Sequence, residues 1–68
     1  MYRINEITIT VDSTQLKTYG ITYNDIIIED ISTDKRKIEE LIALCNKLCL
    51  SPLHIYDVVE DFLVDNNL

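Results

Sequence analysis

The sequence predicts an α+β domain, a three-stranded antiparallel β-meander followed by a two-helix hairpin packed on one face of the sheet. Three observations carry that reading. Apolar residues recur at every second position as far as Ile31, they recur at helical spacing after it, and the only proline follows a serine as Ser51-Pro52. With 68 residues, 47 % of them apolar, and one Gly and one Pro, the chain is too rich in core-forming residues for a disordered linker and too short for two cores. One domain, residues 1–68, is expected.

The first strand is expected over residues 3–11, where Ile7, Ile9 and Val11 alternate with Thr8 and Thr10, so that a pleated strand sends the β-branched apolar side chains to one face and the hydroxyls to the other. Asp12-Ser13-Thr14 reads as a polar turn. The second strand, residues 16–23, places Tyr19, Ile21 and Tyr23 at a spacing of two. Gly20 stands inside it without another glycine nearby, which marks a bulge or a close backbone approach rather than a phosphate cradle. Asn24-Asp25 suits a two-residue hairpin, and Ile26-Ile27-Ile28 opens a third strand over residues 26–31.

A helix is expected over residues 33–48, since Ile38, Leu41, Ile42, Cys45, Leu48 and Cys49 share one helical face. Ser32 or Thr33 is placed to cap it, with Asp34 at its positive end. The second helix, residues 52–64, has Ser51 as N-cap, Pro52 at the first helical position, and Leu50 positioned to staple against Ile55. Its inward stripe is Ile55, Val58, Val59 and Phe62, flanked by Tyr56 and Leu63. A domain this small buries only about 60 % of the surface its unfolded chain exposes. The sheet also keeps two edges and an open face carrying Thr and some Ile, so a homodimer is an expectation.

Twelve Asp and Glu against six Lys and Arg leave a net charge of −6, which opposes direct contact with nucleic acid phosphates or anionic lipid. The charge is segregated, at −4 over residues 1–34, +2 over 35–50 and −4 over 51–68. Lys35-Arg36-Lys37 is the only basic cluster and reads as a solvated face. The longest apolar run, Leu41 to Cys45, is far below the roughly 20 residues of a membrane span. No secretory signal pattern opens the chain, so a cytoplasmic location is expected.

No catalytic constellation, metal site or cofactor motif stands out. Cys45 and Cys49, with His54, give C-x3-C-x4-H, which lacks a fourth zinc ligand, and the two thiols read as small apolar residues in a reducing compartment. His54 is the only histidine; Asp57 and Asp61 fall near it on the helix, so a carboxylate hydrogen bond or plain solvation is expected, and no nucleophile elbow or triad accompanies it. Asp57, Glu60, Asp61 and Asp65 form an acidic ridge along the second helix. This ridge, with His54, is the candidate partner-binding surface; its plainer reading is a solvated face that keeps an apolar-rich chain soluble.

Three segments carry a resemblance: Tyr19-Gly20-Ile21, Glu29-Asp30-Ile31-Ser32-Thr33-Asp34, and most specifically Leu50-Ser51-Pro52-Leu53-His54-Ile55-Tyr56-Asp57-Val58-Val59-Glu60-Asp61-Phe62-Leu63. Together they resemble a family of small uncharacterised proteins, a domain of unknown function from clostridia and related Gram-positive bacteria. The resemblance spans Tyr19 to Leu63, implies a bacterial cytoplasmic protein, and directs attention to His54, Tyr56 and Asp57 without supplying a catalytic residue. The functional expectation is a small acidic interaction or regulatory module with a protein partner, not an enzyme. The alternative is an acidic mimic of nucleic acid that inhibits a DNA-binding protein.

Overall fold

The computed structural model describes residues 1–66, so the last two residues of the expected domain, 67–68, lie outside the described residues. In chain order the elements are β1 (Arg3–Val11), β2 (Thr14–Tyr23), β3 (Ile26–Ser32), α1 (Lys35–Lys47), a 3-10 turn (Pro52–His54) and α2 (Ile55–Asn66). The strands form one antiparallel sheet in the order β1-β2-β3. Two helices then contact it, which is the α+β architecture expected.

β1 and β2 pair without interruption from Arg3 opposite Thr22 to Val11 opposite Thr14. The turn between them is tighter than the sequence suggests. Asp12 and Ser13 take φ of 50° and 66°, the pair of left-handed residues that a two-residue type I′ turn demands, so β2 begins at Thr14 rather than at residue 16. Asn24, with φ of 50°, opens the second two-residue turn, which brings Tyr23 opposite Ile26.

The pairing of β2 with β3 breaks at Gly20. Ile21 faces Ile28, but Tyr19 faces Ser32, so Glu29, Asp30 and Ile31 stand against Gly20 alone. Asp30 absorbs the excess chain in a left-handed conformation, with φ of 55°. A Cβ on residue 20 would overlap the Ile28 carbonyl oxygen, so the β3 backbone crosses there only because glycine has no side chain. Both features expected of this glycine, bulge and close approach, are present.

Register decides which sheet face is covered. Cross-strand partners share a face, so Ile4, Tyr19, Ile21, Tyr23, Ile26 and Ile28 lie together, and these are the sheet residues that pack on the helices. Tyr2, Ile21, Ile31, Ile38, Ile42, Cys45, Ile55 and Val59 form the buried core. The alternating stripe Ile7-Ile9-Val11 is displaced by an odd number of residues from Ile4 and therefore lies on the face without helices, beside Leu16 of β2 and Ile27 of β3. Of these, Val11, Leu16 and Ile27 are 47 %, 41 % and 57 % exposed. Because β2 pairs with β3 only between Tyr19 and Tyr23, the far half of the β1–β2 hairpin extends past the third strand as a two-stranded ribbon.

α1 starts two residues later than expected and has a different cap. Asp34 accepts a hydrogen bond from the Lys37 amide on its own side chain at 3.3 Å, while Ser32 Oγ accepts from the Asp34 amide at 3.0 Å and so orders the approach to the helix. The helix ends early for a local reason. Leu50 N–H donates to the Cys45 carbonyl at 3.0 Å and Cys49 N–H to the Asn46 carbonyl at 3.2 Å, the two bonds of a Schellman motif, with Cys49 in the left-handed position at φ 50°. Cys49 therefore leaves the inward stripe to which helical spacing assigned it, and Leu48, the still-helical C-cap, does not pack inward either. Leu48 is 65 % exposed and Cys49 is exposed, whereas Ile38, Ile42 and Cys45 are buried as expected.

The second helical segment begins where Ser51-Pro52 indicates, and Ser51 Oγ accepts from the Leu53 amide at 3.4 Å. Its first turn is 3-10, and the α-helix proper starts at Ile55 and runs to Asn66. Ile55 and Val59 are buried, and Val58 and Phe62 pack against the core. None of the described helices is long and apolar enough to cross a membrane.

Candidate partner-binding surface

The candidate residues sit on one contiguous stretch, His54 at the end of the 3-10 turn and Asp57, Glu60, Asp61 and Asp65 along α2. All five are exposed. Burial of Ile55 and Val59, four residues apart, fixes the inward direction of α2, and the residues following each of them turn outward by about 100°. Tyr56 and Glu60 therefore face solvent, and Val64 continues their row. This corrects one expectation. Tyr56 does not flank the core but is 60 % exposed, and Leu63 is exposed beside it.

The acidic ridge is thus not purely polar. Leu53, at 87 % exposure, stands beside His54, and Tyr56 and Val64, at 60 % and 54 %, interleave with the carboxylates. His54 is exposed, and among the described residues its ring makes no hydrogen bond or ion pair with Asp57 or Asp61. The basic trio Lys35-Arg36-Lys37 is exposed across the first turn of α1, and Arg36 forms an i,i+4 ion pair with Glu40 at 3.3 Å. A pair this exposed adds little to stability.

Among the described residues, no group of three His, Cys, Asp or Glu side chains gathers to hold a metal ion. The two cysteines are free, Cys45 buried and Cys49 exposed. Burial raises the Cys45 thiol above its ordinary value, so it is a neutral core residue rather than an activated nucleophile.

One polar constellation escaped the sequence reading. Tyr2 is buried, and its hydroxyl donates to the Leu50 carbonyl at 2.8 Å. Asn46 Oδ1 accepts from the Tyr2 amide at 2.8 Å while Asn46 Nδ2 donates to the Tyr2 carbonyl at 3.1 Å. The Tyr2 ring lies 4.6 Å from that of Tyr23, centroid to centroid. Burial, then the proximity of Cys45 and Tyr23, raises the Tyr2 hydroxyl above the usual tyrosine value, which keeps it a donor. These contacts pin the start of the chain to the loop from which the 3-10 turn and α2 depart, and so they orient the acidic surface. Tyr2 and Ile4 continue a spacing of two ahead of Ile7, but with the phase that faces the helices; that phase was the available signal.

No curated protein and no solved structure matches the chain. A family model matches residues 1–65, nearly the whole length, and on that match the chain belongs to a family of unknown function, DUF6514.

Proposed function

We propose that this is a small acidic protein–protein interaction module of the bacterial cytoplasm, without catalytic activity, and that it recognises its partner through the outer face of the 3-10 turn and α2. The observation that supports this reading is the mixture of side chains on that face. Leu53, Tyr56 and Val64 are exposed among Asp57, Glu60, Asp61 and Asp65, so this face offers apolar contact area as well as charge. An exposed tyrosine ringed by charge is the composition of a binding hot spot, in which the aromatic ring enters a partner pocket and the charges steer the approach. The complementary partner carries a shallow apolar pocket edged by Lys or Arg.

The same mixture favours a protein over the nucleic acid mimic, since leucine, tyrosine and valine side chains have no counterpart on a phosphate backbone. The test is capture of partners from the native host, read by mass spectrometry, with two variants as bait. Tyr56→Ala and the triple reversal Asp57→Lys, Glu60→Lys, Asp61→Lys should each lose the partner while the thermal midpoint moves by only a few degrees, because all four side chains are exposed. Retention of the partner by both variants refutes the assignment. Displacement of the partner by DNA, with steep loss in added salt, identifies the mimic instead.

A further inference from the structure

The sheet has two edges, and they differ. β3 is interrupted by the bulge at Glu29-Asp30, with Asp30 left-handed and both residues acidic and exposed, features that stop a strand from accepting another. β1 has neither bulge nor left-handed residue, and its exposed charges, Arg3 and Glu6, are of opposite sign. Its nine residues pair with β2 on one side and, among the described residues, with no strand on the other, and they include no proline, no lysine and no bulge. The face it shares with β2 carries Ile7, Ile9, Val11 and Leu16, of which Val11 and Leu16 are exposed and Ile7 and Ile9 half-buried, while Thr18, opposite Ile7, is buried.

Charge selects the occupant. Residues 1–24 hold two cations, Arg3 and Lys17, and two carboxylates, Glu6 and Asp12, so this hairpin is neutral while the remainder of the chain carries the whole −6. Two copies meeting through α2 would bring like charges together; two copies meeting through β1 would not. Lys17 lies 3.9 Å from Glu6 within the hairpin. Arg3 and Asp12, at opposite ends of β1, are exposed and form no ion pair within the described residues. An antiparallel partner reverses the strand, so that Arg3 of each copy lies next to the turn that carries Asp12 of the other, diagonally rather than directly opposite.

We infer that a second copy of this chain pairs with β1, antiparallel and about a two-fold axis at Ile7, joining two sheets into one of six strands. This register keeps the two apolar faces on the same side, since residues whose numbers sum to 14 have the same parity. It places Ile7 opposite Ile7 of the second copy, Asn5 opposite Ile9, Glu6 opposite Thr8, and Arg3 opposite Val11 beside Asp12. The neighbouring register centred on Glu6 would oppose two carboxylates. This dimer is independent of the α2 surface, which it leaves free.

Sedimentation equilibrium of the full chain between about 1 µM and 1 mM tests the inference, a joint of this size giving a dissociation constant in the micromolar range. Arg3→Glu, at an exposed position, should weaken the dimer about tenfold through its two symmetry-related contacts, and adding Asp12→Lys should restore it, with circular dichroism confirming the fold of each variant. In a Cys49→Ser background, Ile7→Cys should form a reducible covalent dimer, because cross-strand Cα atoms at about 4.5–5.5 Å lie within disulfide reach. Thr10→Cys, which meets Ile4 rather than itself, should not. A monomer throughout, a dimer indifferent to Arg3→Glu, or a dimer that Thr10→Cys traps as readily as Ile7→Cys overturns the inference.

Discussion

The two faces of the sheet are built from similar residues and have opposite fates. The covered face uses Ile4, Ile21, Ile26 and Ile28 with Tyr19 and Tyr23, and joins Ile38 and Ile55 from the helices, both of them 0 % exposed. The outer face uses Ile7, Ile9, Val11, Leu16 and Ile27 and has no helix above it. Hydrophobicity therefore does not tell the faces apart. What separates them is the phase of each residue relative to Tyr2 and Ile21, and hence whether a helix arrives on its side. Burial of a whole isoleucine side chain stabilises by about 1.5–3 kcal/mol, so the same residue type contributes fully on one face and only partly on the other.

Truncation should expose that difference most strongly. Ile38→Ala is expected to cost about 2–5 kcal/mol in urea unfolding, because it opens a void in a site with no access to solvent. Ile9→Ala, measured at low micromolar concentration so that self-pairing does not enter, should cost less than about 1.5 kcal/mol. Equal losses would mean that the outer face is as well packed as the inner.

A smaller effect is expected where the covered half is tied together by polar groups. Asn46→Ala removes both bonds to the Tyr2 backbone and leaves a buried region short of partners, for an expected loss of about 1–3 kcal/mol. Hydrogen exchange at Tyr2 and Asn5 should accelerate, while exchange in the middle of α1 changes less. Uniform acceleration would show that the contact supports the whole fold rather than this corner of it.

The smallest effect has the opposite sign. Cys49 holds the left-handed position of the Schellman motif, where glycine is at ease and a side chain is strained. Cys49→Gly should raise stability by up to about 1 kcal/mol, the relief of strain exceeding the added freedom of the unfolded chain. A loss of stability would show that the exposed thiol makes a contact that outweighs the strain.

Much of this fold was legible in the residues. The change of period at Ile31 separates strands from helices, Ser51-Pro52 marks the second helical start, and Gly20 marks the bulge because no other residue tolerates a backbone at that distance. The error at the end of α1 has one cause, which is that helical spacing treats a helix as endless. Cys49 fits the inward stripe of α1, yet the chain leaves helical geometry there, at φ 50°, and past that point the wheel assigns no direction. Tyr56 fits the rim of the α2 stripe, but no neighbour comes close enough to cover it. For the candidate surface, the acidic residues could be read along the chain; the apolar ones standing among them could not.

By itself the sequence determined local geometry: which segments alternate, which wind, where they turn, and how charge is distributed between neutral hairpin and acidic helix. Those properties depend on near neighbours, whose steric limits and hydrogen bonds act over a few residues. Tertiary structure decided which of two apolar sheet faces became the core, that Asn46 would hold Tyr2 from 44 residues away, and which strand edge was left open. Each of these depends on where a distant segment settles, and a pattern of side chains repeated every second residue serves either side of a sheet equally well until a helix covers one of them.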